Sequence, residues 1–179
     1  MGKIAPTLIF SIKTTFSQIR SSLFAGIAVI SFAFTSVVRG ADLGEALQHA
    51  GWAGILGTWV DADTKGEIVK STYAWKFEGK LIEVNASFGE TKSVAFMSFD
   101  PENKTVFHVS GDDKGGGSIG KWSLDGEDAV LDIQYRTGDG EKGTMKIHHH
   151  KVDDDTMQLT TSNGENDESL EVTLVRSKK

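Results

Sequence analysis

From Ile55 to Arg176 the chain repeats one rhythm: a short segment of alternating apolar and polar residues, then a turn rich in glycine, aspartate or asparagine. A period of two sends successive side chains to opposite faces of a strand, so each such segment builds a sheet with one dry and one wet face. No long amphipathic helix is on offer to cover the dry face. A sheet of this kind buries it by closing on itself, and the expected fold is all-β: an up-and-down antiparallel barrel of about 8–10 strands. The expected division is a leader over residues 1–40, a short helix or arm over 41–54 and the barrel over 55–179.

Strands are expected near 55–61, 67–77, 80–88, 92–99, 104–110, 118–124, 129–137, 143–152, 156–162 and 169–176. Asp100-Pro101 fits the opening of a type I turn, and Asp125-Gly126 and Gly138-Asp139-Gly140 supply the residues that tight hairpins need. The Gly115-Gly116-Gly117 run reads as a wide, mobile loop at a barrel mouth. Alternation assigns Val69, Tyr73, Trp75 and Phe77 to the interior, then Ile82, Val84, Ala86 and Phe88. It adds Trp122 and Leu124; Leu131, Ile133 and Tyr135; Met157, Leu159 and Thr161; and Leu170, Val172 and Leu174. Between 93 and 99 the pattern does not choose, because Val94 and Phe96 compete with Ala95, Met97 and Phe99. Ahead of the strands, Leu43, Ala46, Leu47 and Ala50 stand at helical spacing with Gly51 as a stop.

The first 40 residues carry Lys3, Lys13, Arg20 and Arg39 and no acidic residue, and 21–38 are apolar or small. This is the pattern of an export signal, with cleavage expected after Gly40. The same run reaches the lower limit, about 17 residues, for an uncleaved membrane anchor. Either way, Ala41 onward is expected outside the cytoplasm, in the periplasm or beyond the cell, and a membrane is met only through the N-terminal segment if it is retained. Without the four basic leader residues the chain holds 15 basic against 25 acidic residues, spread through its turns. Nucleic acid is therefore not an expected partner, since phosphate backbones are held by clustered Lys and Arg. With no cysteine there is no disulfide and no thiol chemistry.

Gly57-Thr58-Trp59 on the first strand and Arg176 near the end of the last resemble the Gly-x-Trp and capping arginine of lipocalin-like, or calycin-type, barrels. The resemblance implies that the guanidinium lies over the indole at the barrel base, with the glycine letting the base approach. Phe99-Asp100-Pro101, the glycine run before Gly120-Lys121-Trp122, and Asp153 to Thr156 are similar to uncharacterised bacterial lipocalin-like domains, found alone or after a SnoaL-like domain. These motifs mark turns and strand starts, so they speak for the fold and imply no activity.

His148-His149-His150 is the feature closest to chemistry. A His-x-His pair on one face of a strand has the spacing of a metal site, completed by His108 or an acidic turn residue. Lys146 shares the face of His148 and His150, however, which suits solvent, while His149 follows Met145 and Ile147 toward the interior. There His149 would orient a ligand, bind iron in a haem-type barrel, or be a satisfied core histidine. No metal, cofactor or catalytic residue is assigned. The leading reading is an exported barrel of unknown specific function that binds a small apolar or amphiphilic molecule without catalysis, through Tyr73, Trp75, Phe88, Trp122, Tyr135 and His149. Two alternatives stand beside it: a barrel isomerase or hydrolase using His149 with a carboxylate, and an envelope interaction module meeting another chain by its wall or an edge strand.

Overall fold

The computed structural model describes residues 42–163 and 166–178, so the leader and its cleavage point lie outside the described residues. Helix α1, Leu43–His49, and a 3₁₀ turn, Ala53–Ile55, precede ten strands. These are β1 Gly57–Asp61, β2 Val69–Phe77, β3 Leu81–Phe88, β4 Thr91–Asp100, β5 Thr105–Asp112, β6 Gly117–Asp125, β7 Asp128–Arg136, β8 Lys142–Lys151, β9 Thr156–Asn163 and β10 Asn166–Arg176. Each pairs antiparallel with its neighbours in sequence, and β1 pairs with β10 to close the barrel. All ten expected strands are present. The first starts later than alternation suggests because Ala53–Ile55 is taken up by the 3₁₀ turn. Closure also removes the edge-strand alternative, since neither β1 nor β10 is left with a free side.

One end of the barrel is plugged by α1. The Asp42 side chain caps the helix by accepting from the Glu45 amide at 3.0 Å, and it also takes a 2.8 Å ion pair from Lys80 on the β2–β3 turn. The Gly44 amide donates to the Gly79 carbonyl of the same turn, which fixes the helix to the barrel rim. Leu43 and Leu47, one helical turn apart, are then buried together with Trp52 and Ile55. The barrel interior beneath them is dry: Trp59, Ile82, Met97, Leu131, Met157 and Leu174 are all buried.

The ambiguity of 93–99 resolves by register: Ala95, Met97 and Phe99 face inward with Ile82 and Val84, and Val94 and Phe96 face outward. Phe77 corrects its expected placement. A register shift between Trp75 and Phe77 breaks the alternation, and the Phe77 ring is exposed at the end of β2. The glycine run is likewise tighter than expected. The Asp112 carboxylate accepts from the amides of Lys114 and Gly116, each at 2.8 Å, and a Cβ on Gly116 would stand 2.8 Å from the Arg136 carbonyl at the end of β7. The glycines there serve close approach of two backbones. No helix among the described residues is long and apolar enough to cross a membrane.

Candidate functional site

The base of the barrel is built around Trp59 and Arg176, which are cross-strand partners on β1 and β10. The guanidinium carbon lies 4.3 Å from the indole centroid. Arg176 also donates to the carbonyls of Leu56 (2.8 Å), Gly54 (2.7 Å) and Asp154 (2.9 Å) and to the Asp155 carboxylate (3.0 Å). The Trp59 indole N–H donates to the Ile55 carbonyl at 2.7 Å. One side chain thus ties the α1–β1 connector, the β8–β9 hairpin and the barrel closure together. Gly57 has φ of +118°, and a Cβ there would stand 2.9 Å from an Arg176 nitrogen, so the glycine makes room for the arginine rather than for the indole. A cleft of about 300 Å³ adjoins this base, lined among others by Trp52, Trp59, Lys151, Asp154 and Arg176. Its cationic groups are already engaged by Asp154, Asp155 and backbone carbonyls.

Above the base lies a cluster of rings. His149 is buried, as strand alternation requires if Met145 and Ile147 face inward, while His150 is exposed on the outer wall. Its Nδ1 lies 3.2 Å from the Ile147 carbonyl. The imidazole sits 4.8 Å from the Trp122 ring and 6.4 Å edge-on to Trp52. The contact with Trp122 passes over β7, where Ala129 lies opposite both Leu124 and His149 and is small enough to leave the rings room. On the other side of Trp122, His108 stands at 6.5 Å. Two imidazoles therefore flank one indole. Burial pulls both His149 and His108 down to about 4, against weaker opposing hydrogen bonds from the Ile147 and Ala129 backbone in the case of His149. Both rings are neutral near pH 7.

Two polar atoms in this cluster have no partner among the described residues: His108 Nδ1 and Trp122 Nε1 are each buried and unbonded. Their surroundings explain why. His108 lies between Met97 on β4 and Gly120 on β6, and Trp122 lies between Val106 and Leu131, so the barrel wall offers them no acceptor or donor. Buried polar groups are nearly always satisfied, so this pair is unusual for a barrel interior.

Burial falls off toward the end of the barrel away from α1. There the inward-facing side chains Ser93, Ser110, Ser118, Tyr135 and Met145 are only half-buried, and Phe88 and Leu170 are exposed at the rim. On β5 and β6 the lining is short, with Ser110 and Ser118 hydrogen-bonded to each other at 2.7 Å. One sector of this rim is closed: the buried Asp61 carboxylate accepts from the Thr64 hydroxyl and from the amides of Thr64, Gly66 and Val69, which folds the β1–β2 loop down. Burial alone would raise its pKa, but these donors overcome that and bring it down to about 2. Under α1 the remaining apolar cleft is small, about 50 Å³, between Leu47, Trp52, Phe99, Val106 and Trp122.

Of the six side chains expected to line a site, the structure brings Trp122 and His149 into contact. Tyr73 and Trp75 line the opposite wall on β2, the first buried and the second half-buried against the core. Tyr135 faces the lumen with its ring over Gly143 on β8. Phe88 departs from the expected interior lining: it sits at the last pair of β3, where the barrel has opened, and is half exposed. His108 and Trp52 are the additions. The carboxylate that meets a histidine does so outside the barrel, where His150 Nδ1 lies 2.7 Å from Asp128, and His149 is held by a backbone carbonyl instead. No three metal-ligating side chains converge among the described residues. In comparison with known proteins, no family model matches the chain and no curated protein matches it.

Proposed function

We propose that the chain is an exported lipocalin-like protein that binds a small amphiphilic molecule in the open half of its barrel and carries out no chemistry on it. The observation that carries this reading is the orphaned pair, His108 Nδ1 and Trp122 Nε1, below a lumen whose lining is only half-buried. The apolar body of the ligand lies between Tyr135, Met145 and the rim residues Phe88 and Leu170, and its polar end reaches the two nitrogens. An acceptor atom satisfies the indole N–H. Neutral imidazoles at the floor suit an uncharged polar group over a carboxylate. The Trp59–Arg176 base supports the lipocalin-like assignment, and the basic, apolar N-terminus supports export.

Native mass spectrometry of the protein purified from its source tests the reading, with uptake of 1-anilinonaphthalene-8-sulfonate as a second readout. A small-molecule adduct released on denaturation is expected, together with dye uptake that falls in His108→Leu and Trp122→Phe. A chain that carries no adduct and takes up no dye overturns it.

A further inference from the structure

His149 is shut into the barrel by a cover that the strand ladders do not hold. It stands two residues before the end of β8, on the inner face, with Ala129 and Leu159 as its cross-strand partners. Trp52 meets its ring edge-on at 6.4 Å and comes from the connector that follows α1. That indole is tied down by its N–H to the Glu127 carbonyl at 3.1 Å, and its amide donates to the Leu47 carbonyl of α1 at 2.8 Å. The helix in turn rests on the rim through the bond from Gly44 to Gly79 and the ion pair of Asp42 with the exposed Lys80. On the outside the connector is not wedged, since a Cβ on Gly51 or Gly54 would touch nothing. Every strand of the wall, by contrast, is bonded along both edges. A cover held by a few bonds opens locally long before such a wall separates.

A proton on His149 makes this cover matter. Its ring is bonded to the Ile147 carbonyl and to no carboxylate among the described residues. Around it, β5 presents His108 across Trp122, while β6 and β9 present only Trp122, Leu124 and Leu159. On its own strand His148 and His150 lie on the outer face, and Lys151 at the strand end is paired with Asp154. Asp128 of β7 is taken by His150 on the outer wall, and Glu127, Glu45 and His49 of the neighbouring turn and helix are exposed. An imidazolium here is therefore an unpaired cation in a dry interior, with a second imidazole as its nearest titratable neighbour. The low value already noted for this ring has the same cause, burial without an acidic partner. Water and the acidic turn at Asp125 and Glu127 lie on the far side of Trp52. We propose that the α1 end is an acid-opened plug: protonation of His149 lifts Trp52 and α1 from the mouth while the ten-stranded wall stays closed. The device needs no guest and stands apart from the binding reading.

Amide hydrogen exchange of the full chain at pH 7 and pH 5 tests this, with protection factors corrected for the pH dependence of intrinsic exchange. Exchange reads the open population even where it is small. Opening over residues 44–56 is expected to rise about tenfold or more at pH 5, while β3 and β4 keep their protection. His149→Phe and His149→Leu should each abolish the rise, with far-UV circular dichroism confirming that the variants are folded. His49→Gln should retain it, because that imidazole is already in water. Lys80→Met, which removes the ion pair to Asp42, should raise opening at both pH values and leave their ratio unchanged. In the unaltered chain, NMR titration of the His149 imidazole should follow the same pH course as exchange in α1. Protection lost from β3 and β4 together with α1 overturns the proposal, since the wall then opens too. No rise at pH 5 overturns it, as does a rise that persists without His149.

Discussion

The same ten strands make two different ends. Toward α1 the inward positions carry Trp59, Ile82, Met97, Met157 and Leu174, all buried, and the rim is sealed by a helix and by the five hydrogen bonds of Arg176. Toward the other end the inward positions of β4, β5 and β6 shrink to Ser93, Ser110 and Ser118, which remain half-buried, and the rim shows Phe88 and Leu170 to water. Stability therefore concentrates at one end, where large apolar side chains leave water, and it is the other end, where the inward side chains are short, that the proposed binding reading uses. The substitution with the largest effect should lie at the sealed end. Trp59→Ala removes a buried indole, its bond to the Ile55 carbonyl and the platform under Arg176, and is expected to destabilise by about 3–5 kcal/mol in urea unfolding. A loss under about 1 kcal/mol would mean that the base is not what holds the barrel closed.

Asp61 sharpens the contrast, because it is a buried, fully bonded carboxylate at the open end. Asp61→Ala leaves the amides of Thr64, Gly66 and Val69 without their acceptor and should cost about 2–3 kcal/mol, with amide exchange accelerating in the β1–β2 loop first. Its depressed carboxyl also sets a sign. The stabilisation is present above the unfolded pKa of about 4 and is lost as pH falls through the folded value near 2.

Most of this architecture was legible from alternation and turns, because a strand with one wet face writes its register into the sequence. The number of strands and the inward turn of His149 follow from it, whereas the Trp59–Arg176 base came from the resemblance to lipocalin-like barrels. It misled where the two faces carry the wrong kind of residue. On β5 the apolar residues Phe107 and Val109 face water and His108 faces the lumen, so alternation alone points the histidine outward. A bulge at Trp75 likewise turned Phe77 away, and no period reports a bulge. Trp52 was hidden because it sits in the connector, where there is no period to read. Nothing in the pattern marks Asp61, since its four donors come from the β1–β2 loop and from the start of β2.

Acid should act between the two ends, on the ring cluster that separates them. His149 and His108 are held near 4 by burial, against about 6.5 in the unfolded chain. Between those values the unfolded chain binds protons that the fold refuses. Stability is then fully present above about pH 6.5 and declines as pH falls toward 4, by on the order of 2 kcal/mol for His149. Unfolding free energies measured from pH 7 to 4 should show this slope, and His149→Phe should flatten it. A slope unchanged by His149→Phe would place the titrating group elsewhere.

The smallest effect on stability should come from the open rim, and it is the one that separates the two ends most cleanly. Phe88 is the last inward-facing residue of β3 and is already half in water, so Phe88→Ser removes little buried area and should shift stability by no more than about 0.5 kcal/mol. On the binding proposed above, the ring stands on the path of a guest to His108 and Trp122. Uptake of 1-anilinonaphthalene-8-sulfonate should therefore weaken in Phe88→Ser while the unfolding midpoint stays in place. Leu170→Ser, on β10 of the same rim, should behave alike. Trp59→Ala is the counterpart, expected to lower the midpoint while dye uptake by the folded fraction is kept. If the rim variants lower the midpoint as much as the base variant does, the open end is part of the core and the division of labour between the two ends fails.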